Sequence, residues 1–154
     1  MTLQDLGNIG EFVAAIATLI TLIYLAAQIR QNTRAVRSSA FQQVVDSFSE
    51  ISLAIGLNRE VSEIFDRARV GLSALDSVER RRHWSVLLSL FRRAESVFFQ
   101  SEQGTLPFES WEGIRELLRS ALQSQGARQF WDENSFAFND RFKTFVESEL
   151  LERT

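Results

Sequence analysis

Hydrophobic and polar positions divide the chain into two unlike stretches. From Phe12 to Ile29 eighteen consecutive residues carry no charge, and within Phe12–Ala27 only Thr18 and Thr21 interrupt an apolar run. At about 1.5 Å rise per residue the uncharged run reaches roughly 27 Å as a helix, close to the hydrocarbon thickness of a bilayer. Ile9, Gly10 and Glu11 extend it to ordinary transmembrane length. The pattern predicts a single membrane-spanning helix. A secretory signal peptide needs a basic start, whereas Asp5 and Glu11 precede this run and Leu25–Ala27 makes a poor cleavage site. A buried core helix would need a sheath that the remaining 125 residues could hardly build.

Beyond the span the period remains helical. No proline or glycine occurs from Gln28 to Ile55, and Ala40, Phe41, Val44, Val45, Phe48, Ile51, Ser52 and Ile55 recur at three- and four-residue spacing. The membrane helix is expected to continue into a rod of about fifty residues, roughly 75 Å long at the α-helical rise. Gly56 and Asn58 end it, and Asn58 caps a short helix running to about Val70. Asp76 and Glu79 have capping-box spacing and open a helix to about Gln103, with Trp84, Leu87, Leu88, Phe91, Phe98 and Phe99 as its apolar face. Gly104 and Pro107 mark the next turn, with Pro107 in the first turn of a helix carrying Trp111, Ile114, Leu117, Leu118, Ala121 and Leu122. Gly126 breaks that period. A brief helix over Ala127–Trp131 and a last one over Phe138–Leu151, with Phe142, Phe145, Val146 and Leu150 inward, complete the chain. No segment alternates as a strand does. The predicted fold is all-α: a transmembrane anchor over residues 1–29 and, over 30–154, a cytoplasmic antiparallel helical bundle with short loops.

At about 100° per residue the span separates into two faces. Gly7, Gly10, Glu11, Ala14, Ala17, Thr18, Thr21 and Gln28 share one side, interrupted in the span only by Leu25, while Phe12, Val13, Ile16, Leu19, Ile20 and Ile23 occupy the other. Lipid gives no reason for that segregation. Small residues let helix backbones approach closely, and threonine hydroxyls can bond across, so the stripe predicts a homo-oligomer. Glu11 has two readings: a headgroup-level carboxylate near a helix N-terminus, or one member of a charge ring at a pore mouth, with Thr18, Thr21 and Gln28 below it.

Overall composition alone conceals this division. The 154 residues include 45% hydrophobic and 24% charged positions, with net charge −3 and mean hydropathy −0.09, as in many soluble domains. All seventeen basic residues lie at Arg30 or later, so the first 29 residues carry −2 and the other 125 carry −1. Arg30, Arg34 and Arg37 after the span, against Asp5 and Glu11 before it, place the amino terminus outside and the rest in the cytoplasm. Tyr24 can add an interfacial anchor. Near-neutral charge gives no expectation of nucleic-acid binding. The absence of cysteine removes disulfides, thiolate nucleophiles and cysteine-ligated metals.

Several segments together carry a resemblance. LIYLAAQIRQNTRA after an apolar helix, LLSLFRRAESVFFQ with its central Glu95, the Trp-Glu-Gly of Trp111–Gly113, and Gly126 followed by Trp131 are similar to a widespread group of short bacterial proteins of uncharacterised function. The resemblance spans nearly the whole chain and implies a protein of the bacterial cytoplasmic (inner) membrane with a helical cytoplasmic domain. It implies no catalytic residue.

Chemistry-bearing groups are few. His83, the one histidine, stands beside Arg80, Arg81 and Arg82 and is expected at the surface. No phosphate-binding glycine loop and no HExxH occurs, so neither an enzyme nor a metal or other cofactor is expected. Glu95 falls in the middle of an apolar face and must be paired, hydrogen-bonded or protonated there. Arg37, Arg115 and Arg119 are candidate partners, and a ligand or proton-sensing pocket is the functional alternative. Arg80–Arg82 and Arg92–Arg93 read as solvated faces balanced by Glu79 and nearby acids, and Trp111 and Trp131 as core anchors. The expected function is a membrane-tethered homo-oligomer displaying a helical interaction domain. The alternative is a small homo-oligomeric channel lined by the Glu11, Thr18, Thr21 and Gln28 face.

Overall fold

A computed structural model describes residues 3–152, and every regular element among them is helical. Helix α1 runs Leu3–Gly56, α2 Arg59–Ala68, α3 Ser77–Glu102, α4 Phe108–Ala121, α5 Gln125–Asn134 and α6 Asp140–Phe145. Short 3₁₀ turns occupy Leu72–Ala74 and Ser135–Ala137, and α6 widens into π-helical turns over Val146–Leu151. The chain divides into two units, Met1–Ser39 and Ala40–Thr154.

In the first unit α1 is long and apolar enough to cross a membrane, and its most apolar stretch is unburied. The side chain of Asp5, half of the expected acidic flank, lies outside the described residues.

Helix ends in the second unit follow local capping chemistry. Asn58 Oδ1 accepts the Val61 N–H at 3.2 Å, as its position before α2 predicts. Asp76 accepts from the Val78 and Glu79 N–H groups at 2.8 and 2.9 Å, and Glu79 reaches back to the Asp76 N–H at 3.0 Å. That reciprocal box starts α3 where the spacing says it should. Gly104, at φ +69°, closes α3 in the left-handed conformation that glycine enters without a Cβ penalty. Pro107 stands as the N-cap of α4 rather than inside its first turn. The last helix begins at Asp140, not at Phe138, because Asn139 caps it by accepting the Arg141 N–H at 3.0 Å.

The core of this unit is aromatic and gathers around α3. Its buried face is His83, Leu87, Leu90, Phe91, Ala94 and Val97. That face sits one residue from the expected register at its start: Trp84 is 39% exposed, and its indole N–H bonds the Asn134 side chain at 2.8 Å. Phe91 is fully buried, with ring centroids of Phe130, Trp131 and Phe138 at 5.7, 5.0 and 6.0 Å. Trp111 and Trp131 are both core residues. Val44 and Ile51 of α1 join this core, with Ala40, Phe48 and Ile55 packed against it. Phe41 and Val45, expected on the same apolar face, are instead each 46% exposed, so the stripe is narrower than the spacing predicts.

Gly126 does not break a helix. It lies buried in the first turn of α5, where a Cβ would stand 2.5 Å from the Ala68 carbonyl oxygen of α2. The close approach is held by the Gln125 N–H donating to the Arg69 carbonyl at 3.2 Å and by the Leu72 N–H donating to Gln129 Oε1 at 2.7 Å. Gly71, at φ +123°, makes the turn that brings Leu72 there. Gly126→Ala is therefore expected to destabilise this unit by about 2 kcal/mol, since backbone, not a flexible side-chain end, must move. Gly113→Ala, at an exposed helical position with nothing within 4 Å, is expected to stabilise slightly through helix propensity. Urea midpoints followed by tryptophan fluorescence check both, because all three tryptophans lie in this unit.

Candidate functional site

The stripe predicted on the span is entirely exposed. Gly7, Gly10, Glu11, Ala14, Ala17, Thr18, Thr21 and Gln28 all face outward from α1, as do the large residues Phe12, Ile16, Leu19, Ile20 and Ile23. Nothing comes within 4 Å of the Cβ positions of Gly7 and Gly10, so the backbone there is open to a neighbour. The two threonines complete their donors locally: Thr18 Oγ1 donates to the Ala14 carbonyl at 2.9 Å and Thr21 Oγ1 to the Ala17 carbonyl at 2.8 Å. This back-bonding suits a hydroxyl in apolar surroundings, since no donor is left to desolvate. Gln28 Nε2 donates to the Tyr24 hydroxyl at 2.8 Å, a four-residue link on the helix surface. Chemically the stripe offers close backbone approach and residual acceptor capacity on the hydroxyls.

Glu95 is shielded, as its apolar setting predicts, with its side chain 12% exposed. Its partners differ from those expected. One oxygen accepts from Arg92 of the same helix at 2.8 Å, and the other accepts the Asn139 backbone N–H at 2.6 Å. Arg92 also donates to the Ala137 carbonyl at 2.7 Å and stacks 4.9 Å from the Phe138 ring centroid. Glu95 and Arg92 thus clamp the turn that leads into α6. Arg115 and Arg119 are engaged with Glu112 and Glu116, along α4, and Arg37 belongs to the first unit. Both oxygens of the carboxylate serve the fold.

His83 reverses its expected setting. It is 2% exposed, its ring 4.8 Å from that of Phe65, and burial lowers its pKa from 6.5 to about 4. The arginines beside it turn away: Arg80 donates to the Leu72 carbonyl at 3.0 Å and Arg82 pairs with Glu60 at 2.6 Å. Glu79 pairs with Arg67 rather than with this cluster. The signal for a buried histidine was present in the four-residue step from His83 to Leu87 and on to Leu90, Phe91 and Ala94. Among the described residues no group of three or more histidine and acidic side chains is placed to hold a metal ion.

No family model matches the chain, and neither curated proteins nor solved structures yield a match.

Proposed function

We propose that the chain is a single-pass protein of a bacterial cytoplasmic membrane that assembles with copies of itself through the small and polar stripe of α1. Residues 30–154 then form a cytoplasmic helical bundle that serves as an interaction domain. Orientation rests on Arg30, Arg34 and Arg37 following the span and on Asp5 and Glu11 preceding it. The observation that carries the reading is the segregated surface of α1, with small residues and internally satisfied hydroxyls on one side and bulky apolar groups on the other. A helix alone in lipid has no use for that division, whereas two helices in contact do.

The mass of the intact particle in lipid nanodiscs tests this. We expect more than one copy per particle, and we expect Ala14→Leu with Ala17→Leu to shift the population to monomer. Ile16→Leu with Ile20→Leu, on the bulky face, is expected to leave it unchanged. A wild-type monomer at micromolar concentration overturns the reading, and four or more copies around a conducting lumen would replace it with the channel.

A further inference from the structure

A cavity of about 710 Å³ opens in the Ala40–Thr154 unit, within the range of small-molecule sites. Its deep wall is apolar and comes from several helices, with Ile51 of α1, Phe65 of α2, Leu87 and Leu90 of α3 and Ala127 of α5. His83 also lines it. The imidazole is 2% exposed and makes no hydrogen bond to any described residue, so a polar ring stands in an apolar wall without a protein partner. Buried polar groups in folded proteins are normally satisfied, and a ring nitrogen at the wall of an open cavity takes its partner, water or ligand, from inside it.

The chemistry of the wall restricts what that partner can be. Asp66 and Arg69, the charged residues lining the cavity, stand at its rim with their side chains 76% and 77% exposed, so no charge lies on its buried wall. A carboxylate or ammonium ligand would be desolvated without a counter-ion. A neutral imidazole presents one donor and one acceptor nitrogen, and a hydroxyl can serve either. We propose that this cavity binds an uncharged, mainly apolar molecule carrying one hydroxyl, with its body on the Leu87–Leu90 wall and its hydroxyl hydrogen-bonded to His83. The low proton affinity of the buried ring keeps it neutral at physiological pH, so it can serve the hydroxyl as donor or acceptor.

His83 is the sole histidine, so one ¹³C signal from Cε1-labelled histidine reports the site in the full chain in nanodiscs, unaffected by probe dissolved in lipid. The probe is 2-naphthol, with naphthalene and 2-naphthoate as comparators at neutral pH. We expect 2-naphthol to move the signal saturably, naphthalene to do so about tenfold more weakly for want of the hydrogen bond, and 2-naphthoate to leave it in place. Ser120→Trp, at an exposed position lining the cavity, is expected to abolish the response. A response to naphthalene or 2-naphthoate equal to that of 2-naphthol overturns the proposal, as does no response to 2-naphthol. The three probes on the wild-type chain decide without a variant.

Discussion

Replacing Phe91 with alanine is expected to destabilise the Ala40–Thr154 unit by about 3–5 kcal/mol, the usual cost of emptying a fully buried aromatic site. Phe91 has no exposed surface, and its ring meets three others at 5.0–6.0 Å. Deletion removes the apolar transfer energy and the edge and stacking terms, and leaves a cavity that α3, α5 and the turn before α6 cannot all close upon. Domains commonly hold only about 5–15 kcal/mol in total, so much of the unit's stability would go. Phe91→Leu keeps most of the volume and is expected to cost about 1–2 kcal/mol. Phe136→Ala, at a ring 81% exposed, is expected to change stability by less than about 0.5 kcal/mol. Urea unfolding followed by tryptophan emission measures all three. A small effect of Phe91→Ala would mean that the aromatic cluster repacks and is not the centre of this core.

Much of the structure that depends on neighbours in sequence was readable in advance, although the Asn139 cap before α6 was not. Asn58, the Asp76–Glu79 box and Gly104 act within four residues, and each ends or starts a helix where the residues say. Most of the failures depend on a residue far along the chain. Gly126 looks like a breaker until Ala68 is known to lie against it. Trp84 and His83 both fit a three- and four-residue apolar rhythm, and size favoured the indole. The structure instead lets Trp84 span from solvent to Asn134, while the smaller imidazole faces inward beside Phe65. Glu95 announced itself as a polar group among apolar ones. Its partners were hidden because one is an arginine a turn earlier on the same helix and the other is a backbone N–H at Asn139.

The buried imidazole also makes stability depend on pH in a window of its own. Burial lowers the His83 pKa from 6.5 to about 4 in the folded chain. Between those values the unfolded chain binds a proton that the folded chain refuses, so the unfolded state gains as pH falls. The contribution is fully present above about pH 6.5, and it is lost progressively as pH falls toward 4. A shift of that size corresponds to about 3 kcal/mol at the bottom of the window. Asp76 and Glu79 act in the same direction but lower down. Backbone N–H donors hold Asp76, and Arg67 holds Glu79, below the usual carboxylate range, so their stabilisation is lost mainly below about pH 4.5. The two effects separate by comparison with His83→Phe. Wild type is expected to lose stability between pH 6.5 and 4.5 far more steeply than the variant, whether or not phenylalanine changes stability at neutral pH. Parallel pH profiles for the two chains would place the imidazole in water in the folded state, and with it would go the histidine-lined wall of the cavity.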